Sequence, residues 1–261
     1  MNGRVAIAEK LPHRGQKELM SAFKAKINRL SSGLDVATQF GISGNGFANI
    51  EVHGSDSEFF IELIKREMRL APQNLSEIEV NDNFKAFVSG INPKRQSIEV
   101  EIGPVSTNVK CEITKDALIA QLCDGQDIPV DRVAQVYCIQ EDSPILVRVT
   151  SIDSGRRQIE AWVSDEQVTR FEQWRRERMH RIIAIGGSHD RLSEAVRLAK
   201  ADRDIIQIEE LSFTTNSLVC KLGTDAPGII AKIGRHLSEF KLCAFLPERL
   251  DKLRNGLARK R

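Results

Sequence analysis

Residues 181–246 read RIIAIGGSHDRLSEAVRLAKADRDIIQIEELSFTTNSLVCKLGTDAPGIIAKIGRHLSEFKLCAFL. An apolar run from Ile182 to Ile185 precedes Leu192, Ala195, Val196 and Ala199, whose steps of three and four put one helix face on a core. Two β-rich runs, Ile205 to Leu211 and Ser217 to Leu222, come next. Ile229, Ile230, Ile233 and Leu237 then mark a second amphipathic helix with Pro227 in its first turn, and Leu242 to Leu246 closes the series. The order is βαββαβ. Two such stripes need a common sheet, so helices at 189–200 and 226–239 are expected on one face of four antiparallel strands.

This order is that of a ferredoxin-like unit. The 261 residues exceed one domain of roughly 100–200 residues, and the pattern divides them at 1–80, 81–164 and 165–261, an α+β chain of three modules. In the first, a strand from Arg4 to Ala8 leads past Pro12 to a helix carrying Leu19, Phe23, Ile27, Leu30 and Leu34. Val36 to Ile42 and Gly46 to His53 read as a hairpin turning at Ser43-Gly44-Asn45. Ser55 with Glu58 reads as a capping box for a helix through Phe60, Leu63, Ile64 and Met68, stopped by Pro72. A closing strand from Ile78 to Val80, or one shared with the next module, would make this a second ferredoxin-like unit.

From Asn83 the period changes to two. Phe84, Ala86 and Val88, then Ile98, Val100 and Ile102, then Val105 through Ile113 alternate with polar residues. Thr114 caps a helix with Leu118, Ile119 and Leu122 that ends at Gly125, and Ile145–Ile152 with Arg157–Val163 form a hairpin. Three strands, a helix and two strands is the order of an OB-like β-barrel. Helices at 114–125 and 129–139 with the last hairpin as a wing give a winged-helix alternative. The strict alternation from Val105 favours the barrel.

Ser164 and Gln167 open a linking helix that buries Val168, Phe171 and Trp174 and spreads Arg170, Arg175, Arg176, Arg178 and Arg181 around the rest. The chain closes with a basic tail holding Arg249, Lys252, Arg254, Arg259, Lys260 and Arg261. Net charge is +2, but basic and acidic residues number 10 and 10, 9 and 12, and 19 and 14 in the three modules, so the basic excess is C-terminal. Arginines beside Trp174, together with the tail, are the candidate nucleic-acid contacts, because cations neutralise phosphates and an aromatic can stack on a base. The plainer reading makes Trp174 core and the arginines a solvated face. The barrel is net acidic, which argues against its acting alone on a single strand.

The start Gly223-Thr224-Asp225-Ala226-Pro227-Gly228 is a candidate anion or ligand site through Gly223, Thr224, Asp225 and Gly228, since a helix beginning exposes N–H groups. Its simpler reading is an Asp225 cap. Gly186-Gly187-Ser188 reads as a tight turn, lacking the lysine of a P-loop. Cys111, Cys123, Cys138, Cys220 and Cys243 include no CxxC pair and lie in apolar runs, so they read as reduced core thiols. The five histidines never pair at ligand spacing. Glu209 and Glu210 point to opposite strand faces, and no catalytic set assembles locally, so no enzyme, metal or cofactor is expected. A charged start and the lack of a long apolar run give a cytoplasmic expectation with no membrane partner.

The Asp-x-Pro-Gly of residues 225–228 is similar to the signature of amino-acid-sensing ACT domains, which share the βαββαβ order, although in that family it follows the first strand and here the third. DIIQIEELSF with LVCKLGTDAPGIIAKIGRHL, and ALIAQLCDGQDIP with SPILVRVTSID in the middle, resemble over nearly the whole chain an archaeal family known as domain of unknown function 2110. The resemblance implies an archaeal cytosolic protein and carries no catalytic residues with it. The layout of a barrel ahead of an α/β domain is similar to that of archaeal translation and transcription factors. The expectation is a non-enzymatic factor that binds RNA or a ribonucleoprotein assembly, the ribosome or a transcription complex. A protein–protein adaptor and a small-ligand sensor are the alternatives.

Overall fold

The structure of the protein, a computed structural model, describes residues 3–12 and 16–255. Strand β1 (Gly3–Lys10), helix α1 (Gln16–Leu30), β2 (Ala37–Ile42), β3 (Phe47–His53) and α2 (Ser57–Met68) form the first module, an antiparallel sheet of order β1-β3-β2. Phe23 and Ile27 of α1 and Phe60 and Ile64 of α2 bury against Ile7, Ile50 and Val52, as their spacing requires. Two details differ from the sequence reading. Ser55 donates to Asp35 instead of capping α2, whose N-cap residue is Asp56. Nor does 78–80 close the sheet. The outer edge of β1 is taken by Leu70, which bridges Ile7, with hydrogen bonds from Ala8 N–H to the Arg69 carbonyl and from Ala71 N–H to that of Ala6. Ile78 is drawn instead into the core of the second module.

Strands β4 (Asn83–Asn92), β5 (Ser97–Glu101), β6 (Lys110–Thr114), β7 (Pro144–Asp153) and β8 (Gln158–Val163) close into a barrel of order β4-β5-β6-β8-β7. Parallel pairing of β6 with β8 makes the closure, and α3 (Lys115–Leu122) and α4 (Val130–Val136) lie between β6 and β7. Both helices of the winged-helix alternative are thus present, but β7 and β8 are strands of the barrel and no wing. The third strand is shorter than the alternation predicts. Pro104–Thr107 is a 3-10 turn started by proline, and the Ser106 hydroxyl accepts from Ile102 N–H. Val105 and Val109 are buried at either end of that loop, which imitates a strand pattern.

Helix α5 (Asp165–Glu177) leads to β9 (Arg181–Ile185), α6 (His189–Leu198), β10 (Ile205–Ser212), β11 (Thr215–Cys220), α7 (Ala226–Ile233), β12 (Lys241–Phe245) and α8 (Pro247–Asn255). The antiparallel sheet has the order β10-β11-β9-β12. Leu192, Val196, Ile229 and Ile233 share one cluster with Ile182, Ala184 and Leu218, which puts both helices on one face as expected. The other face carries Ile183 and Ile185 and joins the barrel core through Phe171, Trp174 and Phe245. Tyr137, Phe171, Trp174 and Phe245 pack edge-on at centroid distances of 4.9, 5.9 and 5.2 Å in that order. Every residue of β9 is buried because both its faces are covered. No helix among the described residues is long and apolar enough to cross a membrane.

The modules meet on one carboxylate. Glu9 of β1 is 3% exposed; its Oε1 lies 2.6 Å from Lys85 Nζ in β4, and its Oε2 accepts the Phe213 N–H at 3.0 Å. Beside it, Lys10 pairs with Glu101 and Asp142 of the barrel, and Lys241 of β12 also reaches Asp142. Phe23 packs edge-on against Phe213 at 5.3 Å. Removing one partner of a buried pair strands the other charge, so Glu9→Ala is expected to lower stability by about 3–5 kcal/mol in denaturant unfolding. A loss below about 1 kcal/mol, the range of exposed pairs, would contradict this role.

Candidate nucleic-acid interface

Ser164 caps α5 as the sequence indicates, its hydroxyl accepting the Gln167 N–H at 3.3 Å. The helix then inserts Phe171 and Trp174 between barrel and sheet, so Trp174 is core. Its polar side meets α8, and this decides the fate of the arginines. Arg175 pairs with Glu172 and with Asp251, each at 3.0 Å, and Arg178 pairs with Asp251. Arg181 is 2% exposed, lies over the Trp174 ring at 4.7 Å and is held 2.6 Å from both Glu177 and Glu209. Arg170 pairs with Glu166 at 3.3 Å.

The chain from Arg249 to Asn255 is no free tail but the body of α8, anchored by buried Leu250. Arg254, with a side chain 10% exposed, lies 2.6 Å from Glu172 and donates to the Tyr137 hydroxyl at 2.9 Å and to the Leu122 carbonyl at 3.1 Å. Burial works to raise the Glu172 carboxyl, but hydrogen bonds from Arg254 and Arg175 outweigh it and hold the group below its usual range. Arg181 and Arg254 are therefore corrected from phosphate contacts to internal ion-pair partners, since a buried guanidinium already shared between acceptors cannot reach a ligand. Arg176, Arg249 and Lys252 are exposed and make no ion pair among the described residues. Arg259, Lys260 and Arg261 lie outside the described residues.

The helix start at Gly223–Gly228 is capped from within the chain. Asp225 Oδ2 accepts the Gly228 N–H at 2.9 Å, the Ala226 N–H donates to His180 Nδ1 at 3.4 Å, and Pro227 has no N–H. Asp225 is therefore a cap, and at the candidate anion site of Gly223, Thr224, Asp225 and Gly228 the Gly228 N–H is already taken. A Cβ on Gly228 would lie 3.0 Å from the capping oxygen, which is why glycine suits the position. Gly186 and Gly187 are likewise spent, both N–H groups donating to the Thr214 carbonyl. A Cβ at Gly187 would meet the Phe240 ring at 2.1 Å. Among the described residues no cluster of His, Cys, Asp or Glu is arranged to hold a metal ion. The cysteines are free thiols, and burial pushes Cys111 up to about 12 and Cys123 and Cys220 up to about 11.

Further exposed cations gather at the ends of barrel hairpins, to which sequence reasoning gave no binding role. Lys94 and Arg95 project from the β4–β5 turn, and Arg156 and Arg157 from the β7–β8 turn. The latter two border a groove of about 610 Å3 that runs over Glu99, Glu101 and Lys110. Its carboxylates are already engaged, Glu99 by Lys110 at 3.2 Å and Glu101 by Lys10 at 2.7 Å. The hydrogen bond from Lys110 holds the Glu99 carboxyl below its usual range. Arg157 has no side-chain partner among the described residues, and Arg156 has only the exposed Asp153 at 3.7 Å. Farther along β8, Trp162 is 39% exposed. The net acidic count of the module concealed this, because the count does not say which charges are already paired.

Two substitutions test these structural roles. Arg254→Ala is expected to cost about 1–3 kcal/mol in denaturant melts by leaving Glu172 and Tyr137 without their donor. Asp225→Ala is expected to cost about 0.5–2 kcal/mol in denaturant melts, and an unchanged midpoint would remove the capping role.

No curated protein matches the chain. Among solved structures it is similar to a chain in the crystal structure of the a/eIF2alpha-aDim2p-rRNA complex from Pyrococcus horikoshii OT3, with 12% identity and a TM-score of 0.26 over 59% of this chain and 68% of that one. It is also similar to a multidomain protein with nucleic acid binding domains from Streptococcus pneumoniae TIGR4, with 11% identity and a TM-score of 0.22 over 85% of this chain and 53% of that one. Residues 179–245, from the end of α5 to the end of β12, match the family model described as the DUF2110 C-terminal domain. The likeness to that family read from the sequence is thus borne out over these residues.

Proposed function

We propose that the protein is a non-enzymatic factor of information processing that binds single-stranded RNA, free or within a ribonucleoprotein assembly such as the ribosome or a transcription complex. The reading takes the barrel as OB-like, from its first-second-third-fifth-fourth strand order and the helices after the third strand. It takes the last module as ferredoxin-like, from the sheet order β10-β11-β9-β12. The observation that carries it is that exposed Arg156 and Arg157, the first with only a weak pair to Asp153, lie on the same barrel hairpin as exposed Trp162. Guanidinium groups there neutralise phosphates, and the indole offers a base a stacking surface. Arg176, Lys252 and the residues 259–261 supply further positive charge. Arg175, Arg178, Arg181 and Arg254 set the shape of the molecule rather than touching RNA.

Anisotropy titrations with unrelated single strands lacking terminal phosphates, at two salt concentrations, test this reading. Changing Arg156 and Arg157 together to Ala should weaken every strand similarly and flatten the log–log salt slope by about 1.4, at about 0.7 per phosphate contact. Trp162→Ala should cost about 1–3 kcal/mol of binding with the slope unchanged. If the wild type binds no strand at low salt, the RNA reading fails and the exposed arginines are better read as meeting an acidic protein partner.

A further inference from the structure

A second cleft, of about 200 Å3, opens where all three modules meet, and the functional reading above makes no use of it. Arg66 and Arg69 enter it from the end of α2, Arg170 from α5, and Ser212 from the end of β10, while the Glu9–Lys85 pair lines its wall. Interfaces between modules are common places for small-ligand sites. We propose that this cleft binds a phosphate monoester, with the Arg69 and Arg170 guanidinium groups and the Ser212 hydroxyl as its donors.

Three observations lead there. Arg69 and Arg170 converge on one carboxylate, that of Glu166, at 3.0 and 3.3 Å. A single anionic group is therefore already within reach of both forks. Glu166 is 53% exposed, and an exposed pair contributes little, so an anion in the cleft exchanges with it at small cost. Ser212, 2% exposed, has a hydroxyl with no hydrogen-bond partner among the described residues, and a buried donor of this kind marks an unfilled interaction. The third is the backbone of Arg69, held at φ 60° and ψ 148°, a conformation that only glycine adopts easily. Its N–H and carbonyl are pinned to Lys65 and to Ala8, so the strain fixes where the side chain starts.

The donors set the ligand class. Two planar forks and a hydroxyl offer more hydrogens than a carboxylate has well-placed lone pairs for, whereas a phosphate monoester presents three terminal oxygens in a tetrahedron. Glu9 is not a competitor, since it is occupied by Lys85 and the Phe213 N–H. Arg66, paired among the described residues only with Glu67, adds attraction for a dianion. The cleft is larger than a bare phosphate needs, which leaves space for a small esterified group. That group belongs to a free metabolite or to the 5′ end of a nucleic acid, two sources of one chemistry.

Calorimetric titration of the full chain at constant ionic strength tests the site, with glycerol 3-phosphate, a 5′-phosphorylated trinucleotide and its 5′-hydroxyl counterpart as probes and chloride as the control. Saturable binding of at least one phosphorylated probe, absent for the hydroxyl counterpart, is expected, and which probe binds tells the two sources apart. Arg69→Gly relaxes the strained backbone and Ser212→Ala removes an unpaired hydroxyl, so both variants should fold with unchanged or higher melting temperature. Each should weaken phosphate binding about tenfold or more, as expected for a lost hydrogen bond to a charged group. The proposal is overturned if neither phosphorylated probe titrates beyond the chloride control, or if both variants bind as the wild type does. The outcome is separate from the RNA reading, whose strands carry no terminal phosphate and whose variants lie on the barrel.

Discussion

One buried carboxylate constrains the arrangement of the whole chain. Glu9 leaves β1 with almost no solvent access, and a lone charge there would be too costly to keep. It is tolerated because Lys85 comes from the barrel and the Phe213 N–H from the last module, so all three pieces must be in place together. The neighbouring pairs of Lys10 and Lys241 on Asp142 repeat the arrangement nearer the surface. Such pairs have strict distance requirements, whereas apolar surfaces can slide. They therefore fix the orientation of modules whose cores supply most of the burial energy.

That orientation explains why the last sheet has no solvent-facing side in its centre. One face takes α6 and α7, and the other takes α5 and the barrel, with Phe171, Trp174 and Phe245 as the contact. A helix between two apolar surfaces keeps only a narrow polar strip, and in α5 that strip meets α8. Glu172, Asp251, Arg175, Arg178 and Arg254 form a network there because each charge brought out of water needs an opposite partner. Much of the C-terminal basic excess is thus consumed in holding helices together. The cations left for a ligand lie on barrel turns and at the junction of modules, where those that have partners meet exposed carboxylates and are held weakly.

The sequence alone determined whatever depends on local periodicity. The βαββαβ series of residues 181–246, the hairpin at Ser43, the caps at Thr114, Ser164 and Asp225, and the change from helix to strand spacing near Asn83 were all legible, because steps of two and of three to four are properties of consecutive residues. Periodicity misled where a loop buried two apolar residues an even number of positions apart without pairing, as at Val105 and Val109, and where a partner from another module claimed an apolar residue, as with Ile78.

Only the tertiary structure decided which charges are free. Arg175 and Asp251 are separated by 76 positions, Arg254 and Tyr137 by 117, and Glu9 and Phe213 by 204, and no local pattern relates such residues. In the sequence Arg254 and Arg157 look alike; in the fold one is locked under a helix and the other stands unpaired at a groove. The physical reason is that a side chain's hydrophobic pattern follows from its place along the chain. Its electrostatic role follows from what the fold brings within about 4 Å of it, the range in which opposite charges pair.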